Sequence, residues 1–347
     1  VYGVASSGIR AYFNTINASG GVNGYTFKVV EEDNQYQPAK AASTARDLVS
    51  KGAFVIISEG TPSYDGIKQV AAQLKVPALV AANGDLFKPP PAPNLFGENP
   101  PYSGESENLF RFVLQNLKIK KVGLAWENDD VGSPASKNAP GYVQQNGGQL
   151  VSSQAISNGT TDYSPFCQKF QAAGAQAVEG FLISTGLAGL QKACAAIGYK
   201  PVWVSPFFSF APEYLALAGS ASEGTYIDSY QYSLDSDQPG VTEYKQAMMK
   251  YFPKDVESAF AEQGYAFAQA VSDAVSTATT GGKALTQSAF LSGLTINNQQ
   301  VGLIPGFTYD STTHQGAAEL AIFQVQNGSF VQKTDFQALP AAVAASS

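Results

Sequence analysis

Charge is scarce in this sequence. Lysine, arginine, aspartate and glutamate make up 14% of its 347 residues, where roughly 25% is usual. The 21 cations face 28 anions, for a net charge of −7. That balance excludes a nucleic-acid partner, because displacing phosphate counterions takes a dense Lys/Arg surface. Histidine is nearly missing: the single one, His314, lies in the turn-like stretch Ser311-Thr-Thr-His-Gln-Gly316 and is expected to be solvated. One histidine and two cysteines cannot build a Cys/His framework, so no metal is expected. A Ser-His-Asp triad would depend on His314, and no G-x-S-x-G elbow accompanies it. Phosphate cradles are lacking too. There is no G-x-x-x-x-G-K-[ST] loop and no G-x-G-x-x-G between a strand and a helix; Gly281-Gly282-Lys283 lacks the upstream glycine and follows a helix. No cofactor is therefore expected, and no enzymatic activity. Apolar runs stay far short of the roughly 20 residues that a membrane-spanning helix needs.

What is present is a hydrophobic content of 44%, enough for a sizeable core, in a chain whose length suits about two domains at roughly 150 residues each. Ile9, Tyr12, Phe13 and Ile16 share one helical face, and Gly20-Gly21 ends that helix. Phe27 to Glu31 reads as a strand, Pro38 opens a helix with Ala41, Ala45 and Leu48 on one face, and Ala53 to Ile57 is apolar throughout, as a strand covered on both faces should be. A helix marked by Ile67, Val70, Ala71 and Leu74 and a strand from Val76 to Ala82 follow. Beyond a Pro/Gly-rich loop from Asp85 to Gly104, helix and strand alternate again: helix 105–117, strand 122–126, helix 139–145, strand 149–155, helix 163–173, strand 177–183, helix 187–197, strands 202–204 and 225–228. The remainder reads as helices 241–251 and 257–279, a short helix near 287–291, and a terminal hairpin in which Leu320 to Gln326 and Phe330 to Lys333 flank Asn327-Gly328, a dipeptide favoured in type I′ turns. The Ala/Ser tail 341–347 is expected to fray. Strands alternating with helices of this length imply βαβ units. The fold class expected is α/β, with two doubly wound parallel-sheet lobes.

One feature at the N-terminus departs from that scheme. A doubly wound domain normally opens with a strand, yet this chain begins almost directly in a helix. Either further residues, including a signal segment, precede it, or another segment fills the slot.

The order of these segments resembles the type I periplasmic binding proteins, in particular the branched-chain amino-acid (Leu/Ile/Val) binding family of ABC importers. The resemblance rests on Tyr2-Gly3, the helix ending Asn17-Ala-Ser-Gly-Gly-Val-Asn-Gly24, the strand to Glu32-Asp33, the Pro38 helix and Val55-Ile-Ile-Ser-Glu-Gly-Thr-Pro-Ser63. It continues through Val122-Gly-Leu-Ala-Trp126, Asp162-Tyr-Ser-Pro165, Ala195-Ala-Ile-Gly-Tyr-Lys-Pro201, Glu223-Gly224 and Phe260-Ala-Glu-Gln-Gly-Tyr-Ala-Phe267. Each piece is a turn or packing signature, and their order and spacing over nearly the whole chain carry the likeness. It implies two lobes joined by a three-segment hinge and closing on a small molecule: lobe 1 from 1–117 plus 230–316, lobe 2 from 118–229 plus 317–347. It also implies an ABC permease at the membrane as partner, an extracytoplasmic location in the periplasm or as a cell-surface lipoprotein, and a monomer.

Cys167 and Cys194 lie on consecutive helices flanking one strand, and right-handed crossovers can set such helices side by side. A disulfide suits export to an oxidising compartment; two buried free thiols are the alternative.

The family's ligand positions map here as follows. Thr61 and Ser63 stand where a hydroxyl and a helix N-terminus receive the ligand carboxylate; as turn and N-cap residues they need no ligand. Ala82, Asn83 and Gly84 follow the next strand, and Gly84 lacks a side-chain hydroxyl that relatives use. In lobe 2, Phe207 occupies the place of an acid that pairs with a ligand ammonium, and Val131 and Ile183 take the places of aromatic contacts. Tyr2 and Tyr265 match positions near the cleft rim, although Tyr265 equally suits core packing. A buried ammonium without an acceptor costs several kcal/mol. The implied ligand is therefore a small, carboxylate-bearing, fairly apolar or aromatic molecule, with a standard amino acid second. In the second case Glu59, Asp85, Glu127, Asp129 or Asp130, all near strand ends, would have to replace the missing acid. A sensor domain or an enzyme on the same architecture are the readings from other classes.

Overall fold

A computed structural model describes residues 2–87 and 92–339; the Ala/Ser tail lies outside them. In chain order the elements are helices α1 (Ala5–Ala18) and α2 (Pro38–Ser50), strand β1 (Ile56–Glu59), α3 (Thr61–Leu74), β2 (Ala78–Ala81), β3 (Leu95–Gly97), α4 (Tyr102–Arg111), β4 (Lys121–Glu127), α5 (Ser133–Gln145), β5 (Gln149–Ile156), α6 (Ser164–Ala172) and β6 (Ala177–Phe181). Then come α7 (Ser184–Ala196), β7 (Val202–Ser205), α8 (Pro212–Ala218), β8 (Tyr226–Ser229), α9 (Pro239–Tyr251), α10 (Ala259–Thr279), α11 (Gln287–Gly293), β9 (Ile296–Val301), β10 (Ile304–Tyr309), β11 (Glu319–Gln326), β12 (Ser329–Gln332) and β13 (Gln337–Ala338). Two compact units result, Val1–Pro100 with Gln231–Ala318 and Pro101–Tyr230 with Glu319–Ser347, so the chain passes between them three times.

Unit 1 holds a three-stranded parallel sheet, β1-β2-β3. Its α2/α3 face is a core of Ala41, Ala45, Ile56, Ile67, Val70 and Val80. A second core joins Ala11, Tyr244, Met248, Ala261 and Tyr265 from α1, α9 and α10. Helices α1 and α10 come together through glycine: a Cβ on Gly8 would lie 1.8 Å from the Ala261 carbonyl oxygen, and one on Gly264 2.0 Å from that of Ala5.

Three expectations for this unit change. Residues 27–31 form no ladder. Instead Phe27 stacks on Phe13 of α1 at 4.4 Å, and the Asn17 side chain closes both backbone groups of Phe27, accepting its N–H at 2.9 Å and donating to its carbonyl at 2.8 Å. A short strand, β3, emerges from the Pro/Gly-rich loop, and the β9–β10 hairpin appears where no strand was expected. His314 is not simply solvated: its ring stacks on Phe96 at 4.0 Å, and Nδ1 meets the Leu95 carbonyl at 3.0 Å.

Unit 2 is built on the strand order β12-β11-β8-β7-β6-β4-β5, with β13 on β11. Strands β5, β4, β6, β7 and β8 run parallel; β11 joins β8 antiparallel and turns into β12 through Asn327 and Gly328, both at positive φ as a type I′ turn requires. Helix α4 belongs to this unit rather than to the first lobe's tail, because Ser106 donates to Glu179 of β6 at 2.8 Å and Asn108 to Asp228 of β8 at 3.2 Å. The end of α4 widens into a π-helical turn, Phe112–Asn116. Cys167 of α6 and Cys194 of α7, both fully buried, form a disulfide with Cα atoms 5.0 Å apart.

Candidate functional site

Apart from Tyr2 and Tyr265, the residues singled out in the sequence lie, within each unit, where parallel strands end at their carboxyl edges, the usual ligand face of open α/β sheets. In unit 1, β1 ends at Glu59 and α3 begins at Thr61. Gly60 between them has φ +93°, and a Cβ there would strike the Tyr36 ring at 1.9 Å, so the junction has room only for glycine. Thr61 Oγ1 accepts the Asn83 N–H at 3.1 Å, which ties the end of β2 to the start of α3. Asn83 Oδ1 in turn accepts the Asp85 N–H at 3.0 Å. Ser63 is fully buried and receives the Asn34 side-chain amide at 3.2 Å, so it braces the turn from inside. Ala82 is buried in the α2/α3 core, and Gly84 opens a short 3₁₀ turn. Tyr265 packs between Tyr12 and Tyr244, with ring centroids at 5.0 and 5.2 Å. Tyr2 opens the 3₁₀ turn Tyr2–Val4, and its side chain is outside what is described.

Three carboxyls of this unit carry buried oxygens, Glu98 and Glu262 at positions the sequence does not mark. Glu98 follows β3 and has neither carboxylate oxygen hydrogen-bonded; Glu59 Oε1 and Glu262 Oε2, the latter on α10, are buried without a donor too. Burial pushes all three up from the ordinary carboxylate range, and the charges of Glu59 and Glu262 push Glu98 further.

In unit 2, Val131, Ile183 and Phe207 follow the ends of β4, β6 and β7. The Asp129 carboxylate accepts the Val131 N–H at 2.8 Å and so closes the turn after β4. Glu127, the last residue of β4, accepts the Ile183 N–H at 3.1 Å, which joins the ends of β4 and β6. Burial raises the Glu127 carboxyl and that hydrogen bond partly offsets it. Asp129 and Asp130 are exposed. Phe207 is 5% exposed, against Phe208 at 4.6 Å and Tyr230 at 4.9 Å. Phe208 meets Tyr102 and Phe181 edge-on at 5.2 and 5.7 Å, giving a continuous aromatic group along the ends of β6, β7 and β8. Phe210 leaves this group for the core, packing on Phe323 and Phe330. Beneath it lies a second set of buried acids, Glu105, Glu179 and Asp228.

Among the described residues no cluster of His, Cys, Asp and Glu could hold a metal ion, and no helix is long and apolar enough to cross a membrane.

Comparison with known proteins decides the family. The family model described as periplasmic binding protein matches residues 3–329. The chain belongs to that family. As a periplasmic binding protein, it is similar to Leu/Ile/Val-binding protein homolog 7 of Brucella abortus (strain 2308), at 24% identity over 94% of this chain and 86% of the relative. Among solved structures it is similar to a branched-chain amino acid ABC transporter protein from Thermus thermophilus with bound valine, at 22% identity and TM-score 0.87, covering 97% of this chain and 92% of the other. It is also similar to a solute-binding protein of an R. palustris ABC transporter in complex with benzoate, at 16% identity and TM-score 0.81, covering 95% and 90%. The solved structures share the α/β fold, and the family is one of binding proteins.

Proposed function

We propose that this periplasmic binding protein receives a small carboxylate-bearing, fairly apolar or aromatic molecule and delivers it, as an extracytoplasmic monomer, to the permease of an ABC importer. The carboxylate is met at Thr61 and the α3 N-terminus, where a helix start carries partial positive charge. The observation that carries it is the aromatic group Phe207, Phe208, Phe181 and Tyr102, which stands at the end of β7 where the family resemblance implies an acid for an amino-acid ligand. The ligand's apolar body would rest on Phe207, with Val131 and Ile183 beside it. The disulfide supports an oxidising compartment. Glu59, whose Oε1 is buried without a donor at the end of β1, and Glu127, buried at the end of β4, favour a second reading in which one of them holds the ammonium of a branched-chain or other amino acid.

A thermal-shift screen separates the two. A ligand at 100 times its Kd stabilises by roughly 2.7 kcal/mol. Benzoate and other acids without an amine should raise Tm, and leucine, isoleucine and valine should not; the reverse pattern overturns the first reading in favour of the second. The shift should vanish in Phe207→Asp and Thr61→Ala and persist in Thr61→Ser, which keeps the hydroxyl.

A further inference from the structure

The aromatic group of unit 2 rests on buried acids that ligand recognition does not use. Glu105 and Asp228 are fully buried, on α4 and β8. Glu105 Oε1 accepts the Phe207 backbone N–H at 3.4 Å, and Asp228 Oδ2 accepts the Asn108 side-chain amide at 3.2 Å. Their other oxygens, Glu105 Oε2 and Asp228 Oδ1, are buried with no donor from any other group, which leaves the two neighbouring carboxyls only each other as partners. Two carboxylates cannot hydrogen-bond without a proton between them, so one acid must donate O–H to the other.

We propose that the Glu105–Asp228 pair shares one proton and thereby acts as the positioning support of Phe207, coupling the ligand-facing backbone of unit 2 to the occupancy of that proton. The inference rests on the ligand reading above, since it gives Phe207 its role. Both carboxyls are driven upward, first by burial and, for Glu105, next by the charge of Asp228. The groups around the pair leave it uncompensated. From β6, Glu179 brings a third buried acid and no cation: it pushes Glu105 up, and Asp228 pushes Glu179 up. On α4, Arg111 ends on Asn108 Oδ1 at 2.7 Å and reaches Asp228 only through that amide. From α5, Tyr142 faces Arg111 and Glu107. On β8's flanks, β11 sets Ile322 opposite Asp228 and β7 pairs Ser205 with Ile227. In alkaline solution the shared proton leaves, two buried negative charges then face each other, and α4 and β8 can no longer hold Glu105 against the Phe207 N–H.

Hydrogen exchange of the Phe207 amide, followed by mass spectrometry on the peptide spanning Trp203 to Phe210, tests this without any ligand. Wild-type protein should lose protection by about tenfold, the worth of one hydrogen bond, as pH is raised from neutral into the alkaline range, after correction for the intrinsic rate. Glu105→Gln supplies a permanent N–H in place of the proton and keeps an acceptor for Phe207, so it should remain protected across the range; Glu105→Ala should be unprotected throughout. Protection in Glu105→Ala equal to wild type, or an unchanged alkaline loss in Glu105→Gln, overturns the proposal. Titration of benzoate and valine by calorimetry over the same range then tests the ligand reading separately. Loss of binding that tracks the amide in wild type and is absent in Glu105→Gln supports both. Failure of either molecule to bind, with the amide behaving as stated, counts against the ligand reading alone.

Discussion

Replacing Glu179 by glutamine should make the protein more stable at neutral pH, although it deletes a hydrogen-bonded residue from the middle of a strand. Glu179 is fully buried on β6, and Ser106 Oγ donates to its Oε2 at 2.8 Å while Oε1 has no donor. Burial, with the nearby charge of Asp228, pushes it from 4.5 up to about 8 against the opposing Ser106 bond. Because the folded protein holds this proton more tightly than the unfolded chain, the associated stability is complete below 4.5 and drains away as pH rises to about 8. At roughly 1.4 kcal/mol per pH unit, the loss at pH 7 is about 3 kcal/mol. A glutamine keeps an oxygen for Ser106 and never ionises, so Glu179→Gln should gain about that amount at pH 7 and be near neutral at pH 4. Both tryptophans of the chain, Trp126 and Trp203, lie in unit 2, so urea unfolding followed by their fluorescence reads the unit that carries Glu179. If Glu179→Gln is the less stable protein at pH 7 and retains the wild-type slope with pH, the residue is not a neutral acid and the reasoning fails.

Two further outcomes use the same structure. Reducing the Cys167–Cys194 bond, or replacing both cysteines by serine, should cost about 3 kcal/mol by releasing the closed loop in the unfolded chain, seen as a lower urea midpoint of the tryptophan signal with and without dithiothreitol. His314 has the opposite pH sign to Glu179: burial holds it below 6.5, partly offset by its bonds to the Leu95 and Ala92 carbonyls, so stability is intact above 6.5 and falls as pH drops below it. His314→Gln should flatten that acid limb in thermal unfolding followed by circular dichroism; an unchanged limb would assign it to other groups.

The parts of the fold that were legible in the sequence are those in which burial and side-chain type agree. Strands β4, β6 and β7 lie inside a parallel sheet and, Glu179 and the ends of β4 aside, are largely apolar for that reason, and Asn327-Gly328 announced its hairpin through backbone chemistry alone. The β9–β10 hairpin escaped because Ile296–Val301 is Ile-Asn-Asn-Gln-Gln-Val, a polar ribbon buried only at its ends. Phe27 to Glu31 read as a strand because alternation reports extension, not the presence of a neighbour to pair with. The acids under the site were the least legible. Helix α4 carries Glu105-Ser-Glu-Asn108, which by composition is a solvated face, yet all four residues are buried. Their partners Glu179 and Asp228 come from strands far away in sequence, so no local pattern could announce the meeting. A lone glutamate inside Ala177-Val-Glu-Gly-Phe181 was the one available signal, a charge where an apolar residue is the rule.

Strand β11 sits between β8 and β12, with Phe323 opposite Ile227 and Ala321 opposite Ser229, although residues 231–318 of unit 1 separate β8 from it along the chain. Unit 1 has the same dependence, since α1 finds its close-packed neighbour only when α10 arrives with Gly264. During synthesis, then, an emerging chain completes neither unit from its own leading portion. Any product clipped before residue 319 leaves the backbone edge of β8 bare beside Ile227, and such an edge recruits strands from other molecules. Truncated fragments of this protein should therefore aggregate rather than persist as half-molecules.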